Sequence, residues 1–181
     1  MCATSDGSCF RRGLDPTQAP CSRYGSRFSY DPSTAYNQGS QEAAAAYSTI
    51  LYLGMSSDTP VAYDLEGFDT GNGACVAAAQ GFVHGWNRYL EAPPPRQVSG
   101  VYGSVCGSAM DSYAFIPRPP DFIWGAYYNG NVDTNDIACV NRGHWVDFQR
   151  HKQYRGPHNE AWNGVTLSVD KDSSYGPVYT T

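Results

Sequence analysis

The chain has 181 residues, 41% of them hydrophobic and 16% charged, with a net charge of −5. That length suits one domain with a proper core, and 14 Tyr, 7 Phe and 4 Trp are too many aromatics for a chain that stays solvated. A sequence pI of about 5.2 and the absence of any Lys/Arg run exclude nucleic acid as a partner. No stretch approaches the ~20 apolar residues of a membrane span.

Residues 1–12 are small, polar and without periodicity, and are expected to form an irregular N-terminal segment ahead of a single domain over 13–181. They hold no apolar h-region, so no signal peptide is expected in the chain as it stands. Leu14–Gln18 reads as the end of a strand broken by Pro16 and Pro20. Asn37 or Ser40 can cap a helix that runs through four alanines to Leu53, with Gly54 placed for a left-handed stop.

Asp58-Thr59-Pro60 then turns into a strand, Val61–Glu66, stopped by Gly67. A second helix is predicted over Ala74–Glu91, because Ala79, Phe82, Val83, Trp86 and Leu90 recur at three- and four-residue steps. The prolines at 93–95 end it. Val98–Gly103 reads as a strand, Cys106–Tyr113 as helical or irregular, and Phe122–Tyr127 as a further strand. Phe148–Arg155 and Val165–Val169 supply two final strands. Strands alternating with helices predict parallel strands under covering helices, an α/β architecture.

Six cysteines, at 2, 9, 21, 75, 106 and 139, lack the spacing of a zinc or Cys-x-x-Cys redox site. They suit an oxidising compartment and at least one disulfide, with fifteen full pairings open. The histidines at 84, 144, 151 and 158 show no ligand spacing, so neither metal nor cofactor is expected. No Gly-x-Ser-x-Gly elbow exists for acyl transfer.

Chemistry gathers at the carboxyl ends of parallel strands. Asp64 and Glu66, two apart on one strand, share a face with Cα atoms about 6–7 Å apart. Two carboxylates that close cannot both ionise freely, and one becomes a proton donor. That is the division of labour glycosidic cleavage needs. Asp170 closes Val165–Val169 and enters the same mouth if the sheet curls. Tyr102, Ser104, Trp124, Tyr127, Gln153 and Tyr154 lie on or end neighbouring strands, where aromatic faces stack on sugars and polar groups bond hydroxyls. Trp86 belongs to the core. Asp111, Asp133 and Asp136 read as surface loop acids.

The segments Pro60–Glu66, Phe82-x-x-Gly85-Trp86, Gly100–Ser104, Trp145 with Arg150–Tyr154, and Asn163–Asp170 come in one order. In this they resemble the glycoside hydrolase-like domain of secreted actinobacterial proteins, the DUF1906 or Rv2525c-like family, over roughly residues 14–178. The resemblance implies a TIM-type (β/α) barrel distantly similar to family 25 lysozymes, here incomplete, with its first strands missing. It implies Glu66 as general acid, with Asp64 and Asp170 stabilising charge. With Gln18 and Tyr63 added to the aromatic and polar residues above as sugar contacts, the expected partner is a polysaccharide or peptidoglycan glycan outside the cell or at the cell wall. Hydrolysis of that glycan is one expectation, a non-catalytic carbohydrate-binding module on the same barrel is the second, and a purely structural domain is the third.

Overall fold

A computed structural model describes residues 28–179. The expected strand at Leu14–Gln18, the boundary at residue 12 and the candidate Gln18 lie outside these residues. The described chain is mixed α/β: α1 (Pro32–Tyr52), β1 (Pro60–Asp64), α2 (Gly73–Leu90), β2 (Val98–Ser104), a 3-10 turn (Met110–Phe115), β3 (Phe122–Ala126), β4 (Arg150–Trp162) and β5 (Val165–Tyr175).

Helix α1 starts one turn or more before Asn37 and Ser40. Asp31 is its cap, accepting the Thr34 N–H at 2.7 Å, and Pro32 supplies a preset first turn. The Ser33 and Thr34 hydroxyls also donate to Asp31, which holds its carboxyl down at about 2. Gly54 takes φ 68° just past the helix end, as expected of it. In α2 the predicted stripe is the buried face: Ala79, Phe82, Val83, Trp86 and Leu90 are all 3% exposed or less.

The two helices touch backbone to backbone. A Cβ on Gly85 would collide with the Tyr36 carbonyl, and one on Gly39 with the Phe82 carbonyl. Both positions therefore accept only hydrogen.

The five strands form one curled sheet in the order β1-β2-β3-β4-β5. The first three pairings are parallel, as the alternation of elements predicts. The last is not: β4 and β5 form a long antiparallel hairpin, so the expectation of parallel strands fails at this edge. Asn163 and Gly164, at φ 49° and 83°, make a two-residue turn whose twist suits antiparallel strands. A curled, half-barrel sheet is compatible with an incomplete barrel.

Parallel partners at one level point the same way, so the sheet has two distinct faces. One meets the helices: Tyr63 packs 4.7 Å from the Phe82 ring and 5.1 Å from Trp86, with Val101 and Ile123 buried beside it. Among the described residues no helix packs closely behind β4. The β3–β4 connection fills that space and turns carbonyls inward to two buried cations. Lys152 donates to the Asp133 and Asp136 carbonyls at 3.2 and 2.6 Å. Arg150 donates to the carbonyls of Asn141 and His144. Asp133 and Asp136, two of the three acids expected in surface loops, thus serve through their backbone as a socket for Lys152, while the Asp111 carboxylate accepts from Asn141 N–H. A disulfide joins Cys139 of this connection to Cys106 after β2, and Cys75 of α2 is also disulfide-bonded. No described helix is long and apolar enough to cross a membrane.

Candidate functional site

Among the described residues the opposite face of the sheet is left open. Register places Asp64, Tyr102, Trp124 and His151 side by side along it, with Ser104, Ala126 and Gln153 one step nearer the carboxyl ends. The hairpin folds β5 alongside and adds Asp172 opposite Gln153.

Strand β1 ends at Asp64, two residues sooner than predicted. Pairing nevertheless continues one step, because Leu65 N–H donates to the Tyr102 carbonyl at 2.9 Å. Leu65 is buried in the core and Glu66 is exposed, so the alternation carries Glu66 to the side of Asp64.

The two acids are unequal. Asp64 is half-buried, and its Oδ1 is enclosed with no hydrogen-bond partner among the described residues. Burial, and next the charge of Glu66, push its carboxyl up to about 6. Enclosure of this kind suits the Asp64 carboxyl to hold a proton near neutrality.

Gln153 is the hub of the face. It is 5% exposed, and its Oε1 accepts from both Tyr102 and Tyr128, at 2.7 and 2.9 Å. Since that oxygen is committed to two phenols, Nε2 turns the other way and donates to Asp170 Oδ2 at 2.8 Å. Burial raises both phenols above their ordinary range, with neighbouring acids adding to it, so they stay protonated donors. Asp170 does not end a strand as predicted. It lies within β5, and the hairpin, not a parallel strand end, delivers it to the site.

Trp124 stands 5.3 Å from Tyr102 in an edge-to-face pair, and its Nε1 donates to Asp172 at 2.8 Å. Below it, toward the amino ends of the strands, a cavity of about 280 Å³ is lined by Phe122, Trp124, His151 and Pro177–Tyr179. His151 faces this space, hydrogen-bonded to the Ser174 hydroxyl at 2.8 Å, and its burial lowers its basicity.

Two expected sugar contacts are not on this face. Tyr63 points into the helix layer, its phenol pushed up to about 12 by burial. Tyr127 packs against the main core, with the Lys152 ammonium 5.5 Å from its ring centre. Tyr154 is only partly buried, its carbonyl accepting from Gly130 N–H, and it makes no side-chain bond to the hub residues. Ser104 lies on the open face by register, beside Tyr102. The structure therefore gathers Asp64, Glu66, Asp170, Tyr102, Ser104, Trp124 and Gln153, and adds Tyr128, His151 and Asp172. Asp172 had a signal: it follows Asp170 by two in an alternating strand. Tyr128 had none, being one of two adjacent tyrosines after a strand.

A family model for the Rv2525c-like, glycoside hydrolase-like domain matches residues 10–174 of this chain. The chain belongs to that family. The match embraces every described element through all but the last residue of β5, so the open face and its acids lie inside the family domain. No curated protein and no solved structure compared with the chain matches it.

Proposed function

We propose that the open face is the catalytic cleft of an extracellular glycoside hydrolase acting on cell-wall glycan, within a (β/α) barrel to which the curled sheet contributes. The observation that carries this reading is Asp64: an enclosed carboxyl at a strand end, raised to about 6, beside a second acid, on the face that also carries the Gln153–Asp170 pair. Family membership supports a glycan ligand, and the disulfide suits an oxidising compartment.

In the cleavage step the protonated Asp64 gives its hydrogen to the glycosidic oxygen. The C1–O bond breaks, its electron pair stays with that oxygen, and positive charge develops on the ring. Glu66 and Asp170 stabilise that charge, and water adds to C1 and loses its proton to a carboxylate. The edge-to-face Tyr102 and Trp124 rings offer apolar surface to a pyranose.

The test is product release from peptidoglycan by native and variant chains. Asp64→Asn is expected to lower turnover about 10³-fold, the usual weight of a general acid. Glu66→Gln is expected to retain more activity and to move the alkaline limb of the pH profile downward, because removing its charge lowers the Asp64 pKa. Full activity in Asp64→Asn overturns the assignment. A second reading, a carbohydrate-binding module without catalysis, is favoured by one feature: Gln153 already occupies Asp170. Saturable glycan binding with no product after long incubation supports that reading instead.

A further inference from the structure

On the reading of this face as a glycan cleft, we propose that it selects sugars bearing a free amine, 2-amino-2-deoxy-pyranose units, and rejects acidic sugars. Two independent features of the wall carry this.

The first is the segregation of charge. Asp64 lies on the open face by register, Glu66 follows it by two residues, Asp170 is bonded to Gln153 and Asp172 to Trp124, so four acids gather on or beside this face. The cations of β4 turn away: Arg150 and Lys152 are buried on the other side, held by loop carbonyls. Lys171 pairs with Glu160 at 3.1 Å, and Arg155 stands opposite Lys171 in the register. Arg96 and Arg118 pair with Asp58 and Glu91, while Arg88 lies on α2 and Arg142 in the β3–β4 connection. His151 is the one basic group placed here by register among the described residues, and its burial favours the neutral ring.

The second is hydrogen-bond arithmetic. A phenol has one hydrogen, and those of Tyr102 and Tyr128 are both spent on Gln153 Oε1. The Trp124 N–H is spent on Asp172, and one Gln153 amide hydrogen on Asp170. What remains toward a ligand is mostly acceptors: two phenolic oxygens and the carboxylate oxygens of Glu66, Asp170 and Asp172. An ammonium brings three donors and a complementary charge, whereas a carboxylate brings neither.

The experiment compares three oligosaccharides of equal length by calorimetry at pH 6: glucosamine, N-acetylglucosamine and galacturonate oligomers. At low ionic strength the glucosamine oligomer is expected to bind about tenfold tighter than the acetylated one, and the advantage is expected to shrink in 0.5 M salt. The galacturonate oligomer is expected not to bind. Asp170→Asn and Glu66→Gln should each cut the advantage to about threefold, while Asp147→Asn, an exposed acid ahead of β4, should leave it intact. Equal binding of the first two oligomers overturns this inference and leaves the glycan cleft standing. So does binding of galacturonate as tight as that of glucosamine. An Asp147→Asn loss as large as that of Asp170→Asn also overturns it, by reducing the effect to long-range attraction. Binding of none of the three overturns the cleft itself.

Discussion

Gln153 donates to Asp170 across the β4–β5 hairpin at 2.8 Å, although the two are not register partners and an irregularity in the strand pairing begins beside Gln153. The irregularity shifts β4 relative to β5 at the level where Asp170 meets the cleft. The position of an acid of the site therefore depends on one amide.

Replacing that amide should uncouple the cleft. Gln153→Leu keeps the volume, but leaves two phenols and Asp170 without their partner. A loss of about 2 kcal/mol in folding stability is expected from the groups left unpaired. Glycan affinity should fall about tenfold, and a double-mutant cycle with Asp170→Asn should be strongly sub-additive. Denaturant midpoints and calorimetry measure both, and additive affinity losses would refute the coupling.

Asp64 makes a prediction about pH. Its folded pKa is raised, so the folded chain keeps a proton that the unfolded chain releases between about pH 4 and 6. Stability contributed by this group therefore falls as pH rises through that window. A two-unit shift is worth at most about 3 kcal/mol, and partial solvent access reduces this to about 1 kcal/mol. Asp64→Asn should match the native protein at pH 4 and exceed it by about 1 kcal/mol at pH 8. Melting curves at the two pH values check this, and an equal difference at both would contradict it.

The buried ammonium of Lys152 has no solvent exposure and closes the β3–β4 connection onto the sheet. Lys152→Met preserves the stem and abandons the Asp133 and Asp136 carbonyls, for an expected loss of about 3 kcal/mol. Arg155→Met, at an exposed position of the same strand, should change stability by no more than about 0.5 kcal/mol. Urea unfolding of both variants, with similar losses, would argue against the socket.

Helix contact supplies a steric test. Gly85→Ala places a methyl against the Tyr36 carbonyl and 3.0 Å from Ser40 Oγ. Backbone cannot yield as a side-chain tip does, so a loss of about 3 kcal/mol is expected. Gly73→Ala, where a Cβ meets nothing within 4 Å, is the matched control and should be neutral or stabilising. Thermal unfolding distinguishes the pair.

Much of the scaffold is legible in the residue pattern. The α2 stripe and strands β1 to β3 follow from periodicity and turn residues, because both signals are local. The start of α1 is obscured by the four alanines, whose high propensity draws attention away from Asp31-Pro32. The hairpin had a local signature, Asn163-Gly164 between apolar residues, outweighed by the alternating strand–helix order that precedes it. Face assignments were harder. Tyr63 and Tyr127 look like sugar platforms by composition, yet strand parity turns them toward the core, and parity depends on where each strand begins. Which of Asp64 and Glu66 retains a proton depends on enclosure, which sequence spacing does not encode.

The run Arg150-His151-Lys152-Gln153 alternates residues destined for opposite sides of the sheet. A slip of β4 by a single residue would bring both cations to the open face and leave an imidazole and an amide facing empty carbonyl sockets. The sockets thus act as a key for strand alignment: by holding Arg150 and Lys152 of β4 behind the sheet, they keep its open face acidic.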